Sequence, residues 1–262
     1  DMNRDINHTG DGNGKSAVHA QTLAVYALID RVKAAHTHVD IESCSSGGAR
    51  IDYGVLAHTD RVWTSDSNDA LDRLLIQRGC SFFFPNEIMG SHVGPRDCHI
   101  TGRRVSMQMR IAVAMFGSMG MEMDPRELTP EDISLLQQGL AIYKRYRTLI
   151  HSARLYRFDL NGNSVDFGYV NEDKSLALFA YNSVQETKRT MPRKYRFEGL
   201  DPAKQYKLER IWPLELKEYS KSISSVIQGQ VYSGEALMEF GMQLPVLFPQ
   251  TSLIFKVEQW TN

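Results

Sequence analysis
An α/β region followed by an all-β region is predicted from three observations. Strand-like and helix-like segments alternate up to about Ala153, and polar residues collect where the strand-like segments end. From Arg154 onward the segments are short, alternate apolar with polar residues, and are separated by turn-forming clusters. The two regions are therefore set at residues 1–153 and 154–262. On pattern alone the first is a parallel barrel or a doubly wound open sheet.

After the Gly-rich loop HTGDGNGK, apolar residues at Val18, Val25, Ile29 and Val32, with Leu28 beside them, predict an amphipathic helix to about Ala35. HVDIESC reads as a buried strand emptying into a loop at Gly47 and Gly48, and RVWTSD repeats the pattern. ALDRLLIQRG is a helix closed by Gly79, and CSFFFPNEIMG a third strand with its loop. RVSMQMRIAVAMFGSMGMEMD predicts a helix to about Ala114 and then a short strand from Phe116 to Met119. Its methionines, Met107 to Met123, read as packing rather than metal ligands. TPEDISLLQQGLAIYKRYRTLI carries Thr129 as N-cap, Pro130 at the first helical position, acids early and bases late. Beyond it LYRFDL, SVDFGYV, SLALFAYN, YKLERIW and SLIFKVEQW are antiparallel strands, divided by NGN, NEDK and similar turns.

The chain opens on DMNRD, an acidic start with no initiator Met, no basic segment and no apolar stretch. Asp1 is expected to lie inside a longer polypeptide, just after a strand. A closed eight-stranded barrel needs ~200 or more residues. Only about four strands fit in residues 1–153, so half a barrel or a smaller open sheet is expected.

Composition narrows the function classes. With 262 residues, 42% apolar, the chain can bury a sizeable core. Thirty Lys and Arg against 31 Asp and Glu leave a formal charge of −1, so no general pull towards nucleic acid or anionic membranes is expected, and a neutral partner such as a sugar fits. Cys44, Cys80 and Cys98 form neither a disulfide framework nor a C-x-x-C pair, which speaks against structural zinc and favours a reducing, cytoplasmic compartment. No apolar run reaches the ~18 residues of a membrane span.

Two constellations carry chemistry. GDGNGKS resembles a phosphate loop, but the motif ending in Gly14, Lys15 and Ser16 requires glycine where Thr9 stands, so the stretch reads as a loop ahead of a helix. The second constellation is carboxylate-based. Asp1 and Asp66 both follow strand ends, where a barrel gathers its catalytic groups, and glycoside cleavage needs two carboxylates flanking the scissile bond. On spacing alone Asp11, Asp52, Asp60, Asp69 and Asp72 are equally eligible.

Four motifs then occur in one order: DMNR, ESCSSGGARIDYG, DRVWTSDSNDALDR, and MGSHVG with TGR following. Over residues 1 to about 125 they resemble the family 36 glycoside hydrolases, whose best-known members are bacterial α-galactosidases. In that family D-M-N-R follows a lysine and a tryptophan at a strand end. It is succeeded by an E-x-C-S-G-G-G-G-R-like loop and a W-T-S-D-x-x-D-A strand end. The resemblance implies the second half of a (β/α)8 TIM barrel followed by a C-terminal antiparallel β-sandwich domain. It implies Asp1 as the nucleophile that forms a galactosyl ester, and Asp66 as the acid that protonates the glycosidic oxygen and then the base that activates water. Such double displacement retains configuration, with the carboxyls about 5–5.5 Å apart, an acid of raised pKa and a nucleophile that stays ionised.

The resemblance further implies Met2, Asn3, Cys44 and the Gly47 N–H as substrate contacts. Arg4, Arg50 and His92 are supporting candidates, for which ion pairing or a structural hydrogen bond weighs at least as much; Trp63 reads as core. No metal or organic cofactor is implied. The loop departs from the family at Ser46 and Ala49, where glycine is usual. Galactose and N-acetylgalactosamine would be told apart there, so an α-N-acetylgalactosaminidase or galactosaminidase is the alternative within the family. A noncatalytic carbohydrate-binding fragment is the alternative outside it. The partners expected are an α-galactoside oligosaccharide, the remaining N-terminal part of the same enzyme, without which the chain is inactive, and further copies in a homo-oligomer such as a tetramer.

Overall fold
A computed structural model describes residues 9–187, 189–216 and 229–261. Four parallel strands, β1 (Glu42–Ser43), β2 (Arg61–Trp63), β3 (Met89–Val93) and β4 (Ser118–Met121), lie in one sheet in sequence order. The register pairs Ser43 with Val62, Trp63 with Gly90 and His92 with Gly120. An order that never reverses is an arc of a barrel, since a doubly wound sheet reverses at a switch point. The C-terminal ends of the four strands therefore open on one side, the side of Cys44, Asp66 and His92.

The four helices that the sequence predicts form where it places them, and a fifth, short one is added among the described residues. α1 (Val18–Ala35) is bound to the segment before β2 by Lys33–Asp60 at 2.9 Å, by His58–Asp30 at 2.7 Å and by Tyr26 stacked on His58. It buries none of its residues; Leu23 and Leu28 are more than half exposed. A short turn, α2 (Tyr53–Leu56), is capped by Asp52. α3 (Ala70–Cys80) is capped by Asp69, and α4 (Met107–Ala114) by Ser106. α4 is buried along nearly its whole length, so its methionines are core. α5 (Pro130–Ser152) starts on a reciprocal capping box between Thr129 and Asp132.

Two expectations are corrected. CSFFFP is not a strand: the Phe83 and Phe84 N–H groups donate back to the Cys80 carbonyl, Ser81 Oγ to that of Arg78, and Phe82 and Phe83 stand exposed. The helix end thus consumes the donors that a strand would use, and β3 begins only at Met89. The fourth strand starts two residues later than the apolar density suggests. Phe116 instead plugs the core, 4.8 Å from the Phe167 ring and stacked on Tyr169.

The second module comprises β5 (Arg154–Arg157), β6 (Ser164–Val170), β7 (Leu176–Ser183), β8 (Gln205–Trp212), β9 (Gln230–Ser233) and β10 (Thr251–Gln259). They form one antiparallel sheet in the order β5-β6-β7-β10-β8-β9. Asn161 Oδ1 closes the NGN turn by accepting the Asn163 and Ser164 N–H groups, and Lys174 takes the left-handed conformation in NEDK. Among the described residues, no second sheet covers the outer face. Irregular chain at Tyr195, Phe197, Leu200 and Leu244, and Leu237 of a single helical turn (Ala236–Phe240), pack there on Phe179, Leu208 and Phe255. The inner face (Tyr169, Leu178, Ala180, Trp212, Ile254) shares one core with Ile111, Met115, Tyr143 and Ile150 of the first module. Trp212 Nε1 donates to the Gln108 carbonyl of α4 at 3.1 Å across that junction.

Candidate active site
Two loops meet at the open end of the arc. The one after β1 runs Cys44 to Arg50, with Ser46 and Gly47 both left-handed (φ 45° and 67°) and Ser45 N–H donating to the Gly47 carbonyl. The one after β2 carries Asp66. The glycines set the contact between them. A Cβ on Gly47 would lie 2.6 Å from Ser65 Cα and 2.7 Å from Asp66 N, and one on Gly48 2.5 Å from the Thr64 carbonyl. Only main chain without a side chain fits there. Cys44 Sγ reaches Asp66 Oδ1 at 4.0 Å, the outer limit for a thiol donor.

The remaining carboxylates separate by their partners. Asp11 accepts the Asn13 and Lys15 N–H groups, and Asp52 caps α2 through Val55 N–H at 2.7 Å. Asp60 accepts from Ile41 N–H and Lys33, which hold its pKa below the ordinary carboxylate value. Asp69 is fully buried and takes Leu71 N–H, Thr101 Oγ1 at 2.6 Å and Arg103 Nη1 at 2.7 Å. Asp72 receives Arg103 at 3.2 Å. Asp66, by contrast, is exposed and has no cation paired with it among the described residues; its contact is the Cys44 thiol. It is therefore the acid of this set left open to a ligand.

The supporting candidates divide. His92 sits at the rim with Nδ1 3.0 Å from Glu122 and its ring stacked on Trp63 at 4.2 Å. Burial works against the charge on Glu122, but the His92 and Asn68 hydrogen bonds outweigh it and hold the carboxyl below its ordinary pKa. Arg50 is exposed and donates to Ser45 Oγ of its own loop at 3.2 Å, with no carboxylate among the described residues. Trp63 is buried, as its strand position implies. Asp1, Met2, Asn3 and Arg4 lie outside the described residues.

Residues that sequence reasoning passed over brace this end of the arc. Arg73 holds the Ser65 carbonyl of the loop after β2, the Thr101–Arg103 pair holds Asp69 at its far end, Glu122 pairs with His92, and Gln77 backs Arg73 from below. One signal was available for Arg73 and Gln77. Ala70, Arg73, Leu74 and Gln77 form the buried stripe of α3 at i, i+3, i+4 and i+7, and half of that stripe is polar. Among the described residues no group of three His, Cys, Asp or Glu side chains is arranged to hold a metal.

Comparison with known proteins supplies the family. Residues 1–153 match the melibiases, and residues 165–256 the glycosyl hydrolase family 36 C-terminal domain. The chain is 39% identical to an α-galactosidase of Escherichia coli over 99% of its own length and 38% of the relative's. It is 33% identical to α-galactosidase AgaA of Geobacillus stearothermophilus over 94% of its own length and 32% of the relative's. The crystal structure of AgaB from the same organism superposes with a TM-score of 0.86 at 32% identity, covering 99% of this chain and 34% of that one. Substituted forms of AgaA have been crystallised with raffinose (TM-score 0.86, 30% identity) and with stachyose (TM-score 0.85, 32% identity), each superposing on 99% of this chain and 35% of AgaA. This chain thus spans about a third of the length of these relatives. With the family 36 C-terminal domain following the melibiase match in the same order as the two modules of the fold, the chain belongs to the melibiases of glycosyl hydrolase family 36.

Proposed function
We propose that the chain contributes to a retaining α-galactosidase in which Asp66 is the general acid/base. The observation that carries the reading is the isolation of Asp66. It is the exposed, ion-pair-free carboxylate at the strand ends, while Asp11, Asp52, Asp60, Asp69 and Asp72 are engaged in caps, turns and ion pairs. In the proposed reaction Asp1 attacks the anomeric carbon while Asp66 protonates the departing oxygen. Asp66 then takes a proton from water as the ester is hydrolysed. Asn3, Cys44 and the Gly47 N–H would hold the sugar, with Met2 beside the nucleophile, and the raffinose and stachyose bound by AgaA suggest oligosaccharides ending in α-galactose.

The proposal includes a segment N-terminal to this chain that completes the barrel. It is supported by the unburied apolar residues of α1 and by β1, which has a strand partner on one side only among the described residues. Assembly into a homotetramer belongs to the same proposal and is read by light scattering. The function test is hydrolysis of nitrophenyl α-galactoside and its N-acetylgalactosamine counterpart by the chain alone and by the chain with that segment. Activity on the galactoside is expected only with the segment, and the first-formed sugar is expected to be the α-anomer by NMR. Preference for the N-acetyl substrate, or a β-anomer product, refutes the reading.

A further inference from the structure
Arg73 is 1% exposed, and no carboxylate among the described residues pairs with it. Burial alone draws its guanidinium pKa down to about 10, so the group stays cationic at neutral pH. Glu122 and Glu42 act on it only from a distance, and a buried cation without a contacting counter-charge is costly, so a well-packed apolar side chain commonly does better in such a place. What arginine adds is a rigid fork of donors. Nη1 donates to the Ser65 carbonyl at 3.2 Å, Nη2 to the Gly90 carbonyl at 2.5 Å and Nε to Gln77 Oε1 at 3.3 Å, while the guanidinium carbon lies 4.5 Å from the centre of Trp63.

The two carbonyls belong to different segments, Ser65 to the loop after β2 at the open end of the arc and Gly90 to the first half of β3. The Ser65 carbonyl is the oxygen of the very peptide whose N–H is that of Asp66. At the nitrogen end of the same peptide the main chain of Gly47 closes in, with no space for a Cβ. Resting on the reading of Asp66 as the acid, we infer that Arg73 is a positioning residue: by gripping the Ser65 and Gly90 carbonyls it fixes the place from which Asp66 delivers its proton. A second polar layer backs it, since Gln77 Oε1 also accepts from Ser91 Oγ at 3.0 Å.

Proton delivery is the step that a displaced acid loses, and its cost depends on the leaving group. A sugar alcohol leaves only when protonated, whereas nitrophenolate leaves with little help. Arg73→Lys keeps the charge but replaces the fork by one ammonium. In the chain supplied with its N-terminal segment, kcat/KM for raffinose is expected to fall about 10- to 100-fold and for nitrophenyl α-galactoside less than about 3-fold, as for a misplacement of order 1 Å. Asp66→Asn, run alongside, is expected to show the same contrast, larger. Where Arg73→Lys does not fold, Gln77→Leu removes the acceptor on Nε and is expected to give the contrast at about 3-fold or more. Equal losses on both substrates, or none, mean that Arg73 is merely structural and overturn the inference. Lack of wild-type activity, or full activity in Asp66→Asn, overturns the functional reading and this inference together, and is recognised without Arg73→Lys.

Discussion
Asp166 of β6 offers a sharp test of the energetics of the second module. Its Oδ2 accepts from Ser164 Oγ at 2.7 Å and its Oδ1 from Asn182 N–H at 3.2 Å, and Ser252 Oγ extends the network to Asn182 Oδ1 at 2.7 Å. Burial nevertheless dominates these contacts and pushes the carboxyl from the ordinary 3.8 up to about 7. The sign follows from linkage. Between those values the folded chain holds a proton that the unfolded chain has released, so stability declines as pH rises towards 7 and levels off above it. Asp166→Asn keeps the shape and removes the titration. From pH 5 to pH 8 the wild type is expected to lose about 3 kcal/mol more than the variant, at ~1.4 kcal/mol per pH unit up to about 7. Urea unfolding of both at the two pH values measures the difference, in which the other titrating groups cancel. Parallel pH dependence in the two proteins would refute the reasoning.

Gly47→Ala forces a Cβ against Ser65 and Asp66 at a left-handed φ. It is expected to destabilise by about 1–3 kcal/mol and to lower kcat/KM on nitrophenyl α-galactoside at least about tenfold; unchanged kinetics would show that the two loops are not in register. Phe116 and Phe83 make a matched pair. Phe116→Ala should cost about 3–5 kcal/mol in urea unfolding, and the exposed Phe83→Ser under about 0.5 kcal/mol, if CSFFFP is a turn and Phe116 the plug.

Legibility in the sequence followed locality. α5 was readable because its cap, its first-turn Pro130 and its acid-to-base gradient all act within the helix. β6, β7, β8 and β10 were readable because alternation and turn chemistry are also local. CSFFFP misled because three aromatic residues outweigh Ser81 in any propensity reading, although Ser81 and the helix end decide the conformation. Phe116 misled for the complementary reason: its place is fixed by Phe167 and Tyr169, about fifty residues away. β9 carries too few apolar residues to stand out, and it exists through its pairing with β8.

The site shows the same division. Motif order singled out Asp66 and Cys44, and the structure brings them within 4.0 Å. Spacing alone could not separate Asp66 from Asp69, three residues on, because the difference is made by Thr101 and Arg103 reaching back across the fold. For Arg73 the half-polar stripe of α3 marks a buried polar residue but not what it grips, because two of its acceptors are main-chain carbonyls, which leave no trace in side-chain patterns.

The central claim, that Asp66 is the proton donor, is tested most directly by Asp66→Ala in the chain supplied with its N-terminal segment, assayed on raffinose. The expected result is a fall in kcat of about 10²- to 10⁴-fold, with the fold preserved because the Asp66 side chain, among the described residues, bonds only to Cys44. Hydrolysis of raffinose at the wild-type rate by Asp66→Ala would contradict it.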